Sequence, residues 1–211
     1  ILDNGEVSCW GRGAYGQLGN GGDSEKLAPT LTNNLGTNRT AIALTSGGKH
    51  TCAILDDGSV SCWGQGTRLG NGDNDDKNIP TPTSSLGAGR TAVAISSGTQ
   101  HTCAILDNGS VSCWGGGNSG RLGNGDNSNK YTPTLTSSLG TNRTAIAVSS
   151  GGGHTCVILD NSSVSCWGRN WNGQLGNGDD DDRDNPTWSS SIIGEQSPEN
   201  NPFNPSSLSG F

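Results

Sequence analysis

A 14-residue stretch that recurs along the chain constrains the fold more than any other feature. It begins with His, contains two Cys separated by nine residues, and ends with Trp. Complete copies occupy residues 50–63, 101–114 and 154–167, and a shorter copy occupies residues 1–10. The second Cys of successive copies is spaced by 53, 51 and 53 residues, a period typical of solenoids and β-propellers. The shorter spacing arises in a glycine-rich segment after the Trp, where a loop tolerates a change of length.

Each copy predicts a β-hairpin in which its two Cys face each other. When residues 56–58 form a three-residue loop with the Gly in the left-handed region, Ile54 pairs with Val60 and Cys52 pairs with Cys62. The two Cys then form a non-hydrogen-bonded pair, whose Cα atoms lie about 4.5 Å apart. That separation is within disulfide range.

The composition indicates an all-β fold. The chain contains 35 Gly, is only 29% hydrophobic, and has no helix-length segment free of Gly, Pro or runs of Ser, Thr and Asn. We therefore expect three or four short strands in each unit. Both faces of the hairpin are partly apolar, so each strand needs cover on two sides, as stacked blades or solenoid coils provide. In the last copy Ser162 replaces the Gly of the turn, so we expect that turn to be strained or differently built.

The repeated residues resemble the regulator of chromosome condensation repeat family. The matching elements are Gly47-Gly48-Lys49-His50, Asp57-Gly58, Trp63-Gly64, Gly16-Gln17-Leu18-Gly19 and Pro29. The resemblance extends over about residues 1–187 and implies a seven-bladed β-propeller with four strands in each blade. The chain holds only about 3.5 repeat units. The resemblance therefore implies propeller blades that are too few to close a seven-bladed ring.

The repeat boundaries divide the chain into five segments. We expect a partial blade at residues 1–40, repeat blades at 41–91 and 92–144, and a partial blade at 145–194. The segment 195–211 is rich in Pro, Ser and Asn and is expected to be a tail.

Six of the seven Cys are expected to form disulfides within their own hairpins. Zinc is the alternative, but nine intervening residues across a hairpin suit a disulfide better than a metal knuckle. The remaining Cys9 is unpaired, with its partner expected before Ile1 or in another molecule. Disulfides indicate an oxidising compartment, so we expect an extracellular or cell-surface protein. The predicted pairs are Cys52 with Cys62, Cys103 with Cys113, and Cys156 with Cys166.

Acidic turns follow each Leu-Gly-Asn-Gly motif and are candidates for calcium binding. Carboxylate oxygens suit Ca²⁺, although the spacing lacks the Gly and the distal Glu of an EF-hand. A solvated turn is the alternative. The candidate ligands are Asp73, Asp75, Asp76, Asp179 and Asp181, and the sequence predicts no other cofactor.

Four Asn-x-Ser/Thr sequons fall in predicted turns or loops, where a glycan has room. Because the chain is rich in Asn, Ser and Thr, chance occurrence is the alternative. The candidate glycosylation sites are Asn38, Asn108, Asn142 and Asn161.

One His in each complete copy precedes the first Cys, and a Trp ends each hairpin. A structural hydrogen bond is favoured over a metal or catalytic role for His50, His101 and His154. The hairpin Trp residues are expected to pack between blades, whereas Trp171 and Trp188 lie outside the pattern and could pack or contribute to a contact surface.

Charge and repetition exclude several classes of function. The formal net charge of −7 disfavours nucleic acid, and no apolar run has the length of a membrane span. Every candidate catalytic residue recurs in each copy, whereas an active site is normally unique, so we predict no enzyme. The leading hypothesis is a non-enzymatic extracellular binding or structural module that contacts a protein or ligand through the loops after each Trp-Gly and the acidic turns. The alternatives are a self-assembling filament or surface-layer subunit completed by neighbouring copies, and a secreted propeller inhibitor.

Overall fold

The computed structural model describes residues 1–190, and these form four antiparallel β-sheets, which we call the first to fourth blades. The first blade has two strands, and each of the others has four in sequential order. The strands of the first and second blades are β1 (Ser8–Gly11), β2 (Lys26–Leu31), β3 (Ala41–Ser46), β4 (His50–Leu55), β5 (Val60–Gly64) and β6 (Lys77–Pro82). Those of the third blade are β7 (Ala92–Ser97), β8 (His101–Leu106), β9 (Val111–Gly115) and β10 (Lys130–Leu135). Those of the fourth are β11 (Ala145–Ser150), β12 (His154–Leu159), β13 (Val164–Gly168) and β14 (Arg183–Trp188).

The fourth blade is more complete than predicted. The unit that begins at residue 145 was expected to be a partial blade, but it has all four strands. Its last strand, β14, includes Pro186, which is compatible with an edge strand because no further strand of the described chain pairs with it. Residues 191–194 of that segment and the whole predicted tail, 195–211, lie outside the described residues.

The hairpin register predicted from the turn is confirmed. Ile54 pairs with Val60 and Cys52 pairs with Cys62. Gly58 has φ +75°, so the turn uses the left-handed conformation that glycine adopts without strain. Ser162 adopts φ +67° at the same position, so the last turn has the same geometry as the others, with a residue that is strained there. It is not differently built.

The core lies between the blades. The face of each hairpin that carries the disulfide packs on the next blade, against a face carrying Trp and Leu. For example, Ile54 and Val60 of the second blade lie in one buried cluster with Ala104, Leu106 and Trp114 of the third. The same arrangement recurs between the third and fourth blades. Both faces of the hairpins in the second and third blades are therefore buried, as their sequence predicted.

The blade ends form two different surfaces. We call the loop face the end that carries the tight turn between the first two strands of a blade and the long loop before the fourth strand. The opposite end, which we call the turn face, carries the hairpin turns and the connections between blades. The first strands β3, β7 and β11 contact one another in succession. Within residues 1–190, no helix is long and apolar enough to span a membrane.

Candidate functional site

The cations of the described chain differ in whether a carboxylate pairs with them. Of its 12 Lys and Arg residues, six lie within 4 Å of a carboxylate oxygen. Residues 1–190 supply no such partner to the other six, and all of these lie at the loop-face end of the blades. Lys26 begins strand β2. The remaining five, which we call the basic row, are Arg12, Lys49, Arg68, Arg121 and Arg169.

Two members of the basic row are arginines buried beneath the loop face. Arg68 and Arg121 are each 8% exposed and occupy the position that Gln17 and Gln174 hold in the first and fourth blades. In those blades the Gln oxygen accepts a backbone N–H and closes the local turn, as Gln17 does for Tyr15 at 2.8 Å. Arginine is a donor only and cannot make that bond, so the side chain at this position bonds differently in the two central blades.

The buried guanidinium groups are bonded to neutral groups alone. Arg68 donates to the hydroxyl of Thr67 at 3.1 Å, and its Nε is buried without a hydrogen-bond partner. Arg121 donates to the carbonyl of Asn118 at 2.8 Å and to the side chain of Gln100 at 3.3 Å. Burial is the main cause that lowers the pKa of both arginines, and the charges of Arg169 and Arg68 lower the pKa of Arg121 further. The charge of Asp76 raises the pKa of Arg68 and that of Asp182 raises the pKa of Arg121, but neither carboxylate forms an ion pair with them. Both guanidinium groups therefore lack a direct carboxylate partner within the described residues.

Each end of the basic row carries an aromatic ring stacked with a cation. The Nζ atom of Lys49 lies 4.3 Å from the centroid of the Tyr15 ring and donates to its hydroxyl at 3.0 Å. That hydrogen bond and the charge of Lys49 lower the pKa of Tyr15. At the other end, the guanidinium of Arg169 lies 4.2 Å over the Trp171 ring, which is 65% exposed. Both rings present contact area beside a positive charge.

The histidines link neighbouring blades and do not form a ligand site. Nε2 of His50 lies 2.7 Å from Oγ1 of Thr102, and Nε2 of His101 lies 2.8 Å from Oγ1 of Thr155. Burial lowers the pKa of both imidazoles to about 3, so they are neutral near pH 7. His154, in the fourth blade, is only partly buried. The structural role expected for these residues agrees with this geometry.

The cysteines form the three expected hairpin disulfides, Cys52–Cys62, Cys103–Cys113 and Cys156–Cys166, each with Cα atoms 4.1 Å apart. Cys9 has no disulfide partner in the described chain, and burial raises the pKa of its thiol. A raised pKa lowers the thiolate fraction, so Cys9 is not an activated nucleophile.

The calcium candidates do not converge on a site. Within residues 1–190 there is no group of three His, Cys, Asp or Glu side chains that could hold a metal ion. Asp73 and Asp75 pair with Lys77, and Asp179 and Asp181 pair with Arg183. Asp76 accepts the backbone N–H of Gly66 at 2.9 Å. In the described chain these carboxylates fix the loops through local hydrogen bonds and ion pairs, and calcium binding stays a prediction.

The four sequon asparagines are exposed and lie on the turn face, opposite the basic row. Asn38 and Asn142 adopt φ +55°, a conformation that Asn tolerates better than most residues. Asn108 and Asn161 accept bonds from the backbone and hydroxyl of the Ser two residues ahead. Each asparagine thus has a local structural role, and glycosylation remains a prediction.

The tryptophans divide into buried and exposed sets. Trp63, Trp114 and Trp167 are fully buried between blades, as expected. Trp10 was expected to pack in the same way but is 61% exposed, because the described chain places no blade on that side of it. Of the two outside the pattern, Trp188 is 49% exposed, and Trp171 belongs to the loop face.

Sequence reasoning did not single out the buried arginines. The motif Gly-Gln-Leu-Gly was recognised as a repeat element, but its change to Arg in the second and third copies was not interpreted. That replacement of a neutral residue by a cation at a repeated position was the available signal.

Successive antiparallel blades of up to four strands, each packing one face on its neighbour, define the β-propeller class of repeat module. The model of the regulator of chromosome condensation (RCC1) repeat matches residues 4–54, 57–105 and 108–158. The chain therefore belongs to the RCC1 repeat family.

Three known proteins similar to the chain are each longer than it. The human E3 ubiquitin-protein ligase HERC2 is 34% identical over 177 residues, which cover 82% of this chain and 4% of HERC2. The crystal structure of human WBSCR16 matches with a TM-score of 0.80 and 24% identity, covering 90% of this chain and 50% of that one. Prp20p from Saccharomyces cerevisiae matches with a TM-score of 0.70 and 24% identity, covering 81% of this chain and 43% of that one. The chain thus spans half or less of each of these proteins.

Proposed function

We propose that the chain is a non-enzymatic extracellular module that binds a protein through its loop face. One observation carries this proposal. Every cation that has no carboxylate partner within residues 1–190 lies at the loop-face end of the blades. Unpaired charge that the fold does not use is available to a partner, and loops held on a rigid scaffold are common binding surfaces.

Two further features support an extracellular setting and the choice of face. Three disulfides suit an oxidising compartment. All four sequons lie on the turn face, so glycans there would leave the loop face open to a partner. Among proteins of similar fold, Prp20p is described as binding Gsp1p and histones.

Site-specific photo-crosslinking tests whether a partner protein contacts the loop face or the turn face. A photoreactive amino acid replaces the exposed Asn118 on the loop face or the exposed Thr141 on the turn face. Each variant is incubated with cell-surface extract and culture medium from cells that make the protein, and adducts are identified by mass spectrometry. We expect a specific protein adduct from position 118 and none from position 141. Adducts from position 141 alone would place binding on the turn face and overturn the proposal.

A second candidate, self-assembly, is favoured by the uncovered side of the fourth blade. Ile158 and Val164 are 42% and 37% exposed, whereas Ile54 and Val60, at the same positions of the second blade, are 1% and 2% exposed. In the second blade this apolar face is covered by the Trp and Leu face of the third. The first blade exposes the corresponding residues, Leu2 and Trp10. The first blade of another copy therefore has the residue types that would cover the fourth.

The oligomeric state tests this second candidate. Analytical ultracentrifugation of the purified chain at rising concentration should reveal head-to-tail association, and Ile158→Lys should abolish it. Leu27→Lys is the control, because Leu27 is 91% exposed on an outer strand. A chain that stays monomeric at high concentration, or coverage of this face by further blades of a longer chain, contradicts self-assembly.

A further inference from the structure

We propose that the basic row binds an extended acidic segment of a partner protein, whose Asp or Glu carboxylates pair with Arg68 and Arg121. This inference rests on the proposed function, since it names the chemistry of a partner at the same loop face. It depends on three features of the described chain: unused hydrogen-bond donors, the spacing of the cations along the blades, and the charge at the margin of the loop face.

The first feature is the number of unused donors on the two buried arginines. A guanidinium carries five N–H donors in a planar fork that fits a carboxylate with two parallel bonds. Arg68 uses one nitrogen, toward Thr67, and its buried Nε has no partner. Arg121 uses two nitrogens, toward neutral oxygens. Burying charges of one sign near each other costs stability, and a carboxylate placed between them offsets that cost.

The second feature is the distribution of the cations along the row. Arg12, Arg68, Arg121 and Arg169 come one from each of the four successive blades. Arg121 lies near enough to both Arg68 and Arg169 for their charges to lower its pKa, so positive charge continues from blade to blade along the row. In an extended peptide, alternate side chains point to the same side and recur about every 6.6 Å, so several carboxylates can face the row together. Tyr15 and Trp171 lie beside the two ends, where they can cover the backbone of such a segment.

The third feature is the acidic margin of the loop face, which favours a short peptide over nucleic acid. Asp73, Asp75, Asp179 and Asp181 lie in the loops before the fourth strands, and the chain carries a formal charge of −7. A long polyanion with a charge at every step meets these carboxylates as well as the basic row. A peptide with a few acidic residues avoids that repulsion.

Fluorescence polarisation with labelled decapeptides tests the proposal on the purified chain. The probe alternates Glu and Ser, the neutral control alternates Gln and Ser, and a ten-nucleotide single-stranded DNA represents other polyanions. We expect the Glu peptide to bind at least about tenfold more tightly than the Gln peptide and to weaken as salt rises. Arg68→Gln and Arg121→Gln should each weaken the Glu peptide by about tenfold, since each removes a charge-assisted pair.

Matched variants distinguish a loss of peptide affinity at Arg68 and Arg121 from a loss caused by misfolding or by a general change of charge. Gln is the residue that the first and fourth blades carry at this position, so the substitutions suit the fold. Unchanged melting temperatures of the variants establish that they are folded. Arg90→Gln is the charge control, because Arg90 lies on the turn face, 3.2 Å from Asp107, and it should leave peptide affinity unchanged.

Three results overturn the proposal: equal affinity for the Glu and Gln peptides, tighter binding of the DNA, or variants Arg68→Gln and Arg121→Gln that bind as well as the parent. Crosslinking distinguishes this failure from failure of the proposed function. If a protein adduct still forms at position 118, and neither Arg68→Gln nor Arg121→Gln abolishes it, the loop face binds protein through other chemistry. If no adduct forms at position 118, the proposed function itself fails.

Discussion

Nε2 of His50 in the second blade lies 2.7 Å from Oγ1 of Thr102 in the third, and both side chains are buried. Thr102 follows His101, which makes the same bond at 2.8 Å to Thr155 of the fourth blade. In the third blade, therefore, His101 bonds to the next blade and Thr102 to the previous one. The contact joins units that are adjacent in space but separated by about 50 residues, as a one-dimensional repeat stack requires.

Replacing the first histidine should therefore weaken the contact between blades. We expect His50→Leu to lower the free energy of unfolding by about 2 kcal/mol, because the buried hydroxyl of Thr102 loses its closest partner. His154→Leu is the control, since His154 is only partly buried and residues 1–190 offer it no further blade. Urea denaturation monitored by tryptophan fluorescence measures both variants. Equal losses from the two variants would contradict a role specific to the contact between blades.

The same histidines should make stability depend on pH. In the folded chain burial lowers the pKa of His50 and His101 to about 3, whereas an unfolded His has a pKa of about 6.5. Between these values the unfolded state binds protons that the folded state does not, so stability is complete above pH 6.5 and is lost as the pH falls toward 3. The loss approaches about 1.4 kcal/mol per pH unit for each histidine.

Urea titrations at intervals from pH 7.5 to pH 4.5 measure this dependence. Above about pH 5.5 exposed carboxylates are almost fully ionised, so histidine dominates the slope in that part of the range. A His50→Gln/His101→Gln double variant should be less stable at pH 7.5 but should show a flatter profile. A parent protein whose stability does not change over this range would show that the folded histidines accept protons normally.

Much of the hairpin could be predicted from sequence because its determinants are local. Turn length and the Gly at position 58 set the register, and the register places Cys52 opposite Cys62. The loop face could not be predicted in the same way. Whether Asp73 binds an ion or pairs with Lys77 depends on loop conformation, and burial of Arg68 with its Nε unpartnered depends on packing between elements distant in sequence.

The hairpin disulfides should contribute measurably to stability. In the entropic model, a disulfide that closes a loop with a sequence separation of 10 stabilises the fold by about 3 kcal/mol. We expect Cys103→Ala/Cys113→Ala to lower the unfolding free energy by roughly this amount. Cys9→Ala is the control and should have a much smaller effect, since Cys9 forms no disulfide in the described chain. If reductant does not destabilise the parent, the pairs are not formed in solution.

The strained turn of the fourth blade offers a stabilising substitution. Ser162 adopts φ +67°, where the second blade has Gly58 at φ +75°. Ser162→Gly should raise the unfolding free energy by up to about 1 kcal/mol, because relief of strain exceeds the added entropy of the unfolded chain. Ser149→Gly, in strand β11, is the control and should be destabilising. Thermal unfolding compares the two, and a lower melting temperature for Ser162→Gly would contradict the assignment of strain.

Glycosylation of the turn face is the last prediction. When the chain is secreted from a eukaryotic host, we expect treatment with an N-glycosidase to reduce its mass, with modification at one or more of Asn38, Asn108, Asn142 and Asn161. All four side chains are exposed on the face opposite the basic row. Glycans there should therefore leave both the affinity for the Glu-Ser peptide and crosslinking from position 118 unchanged. Peptide mapping by mass spectrometry identifies the modified sites, and Asn→Gln at each site is the control. A secreted protein with the mass of the bare chain would show that these asparagines serve only the local turns in which they lie.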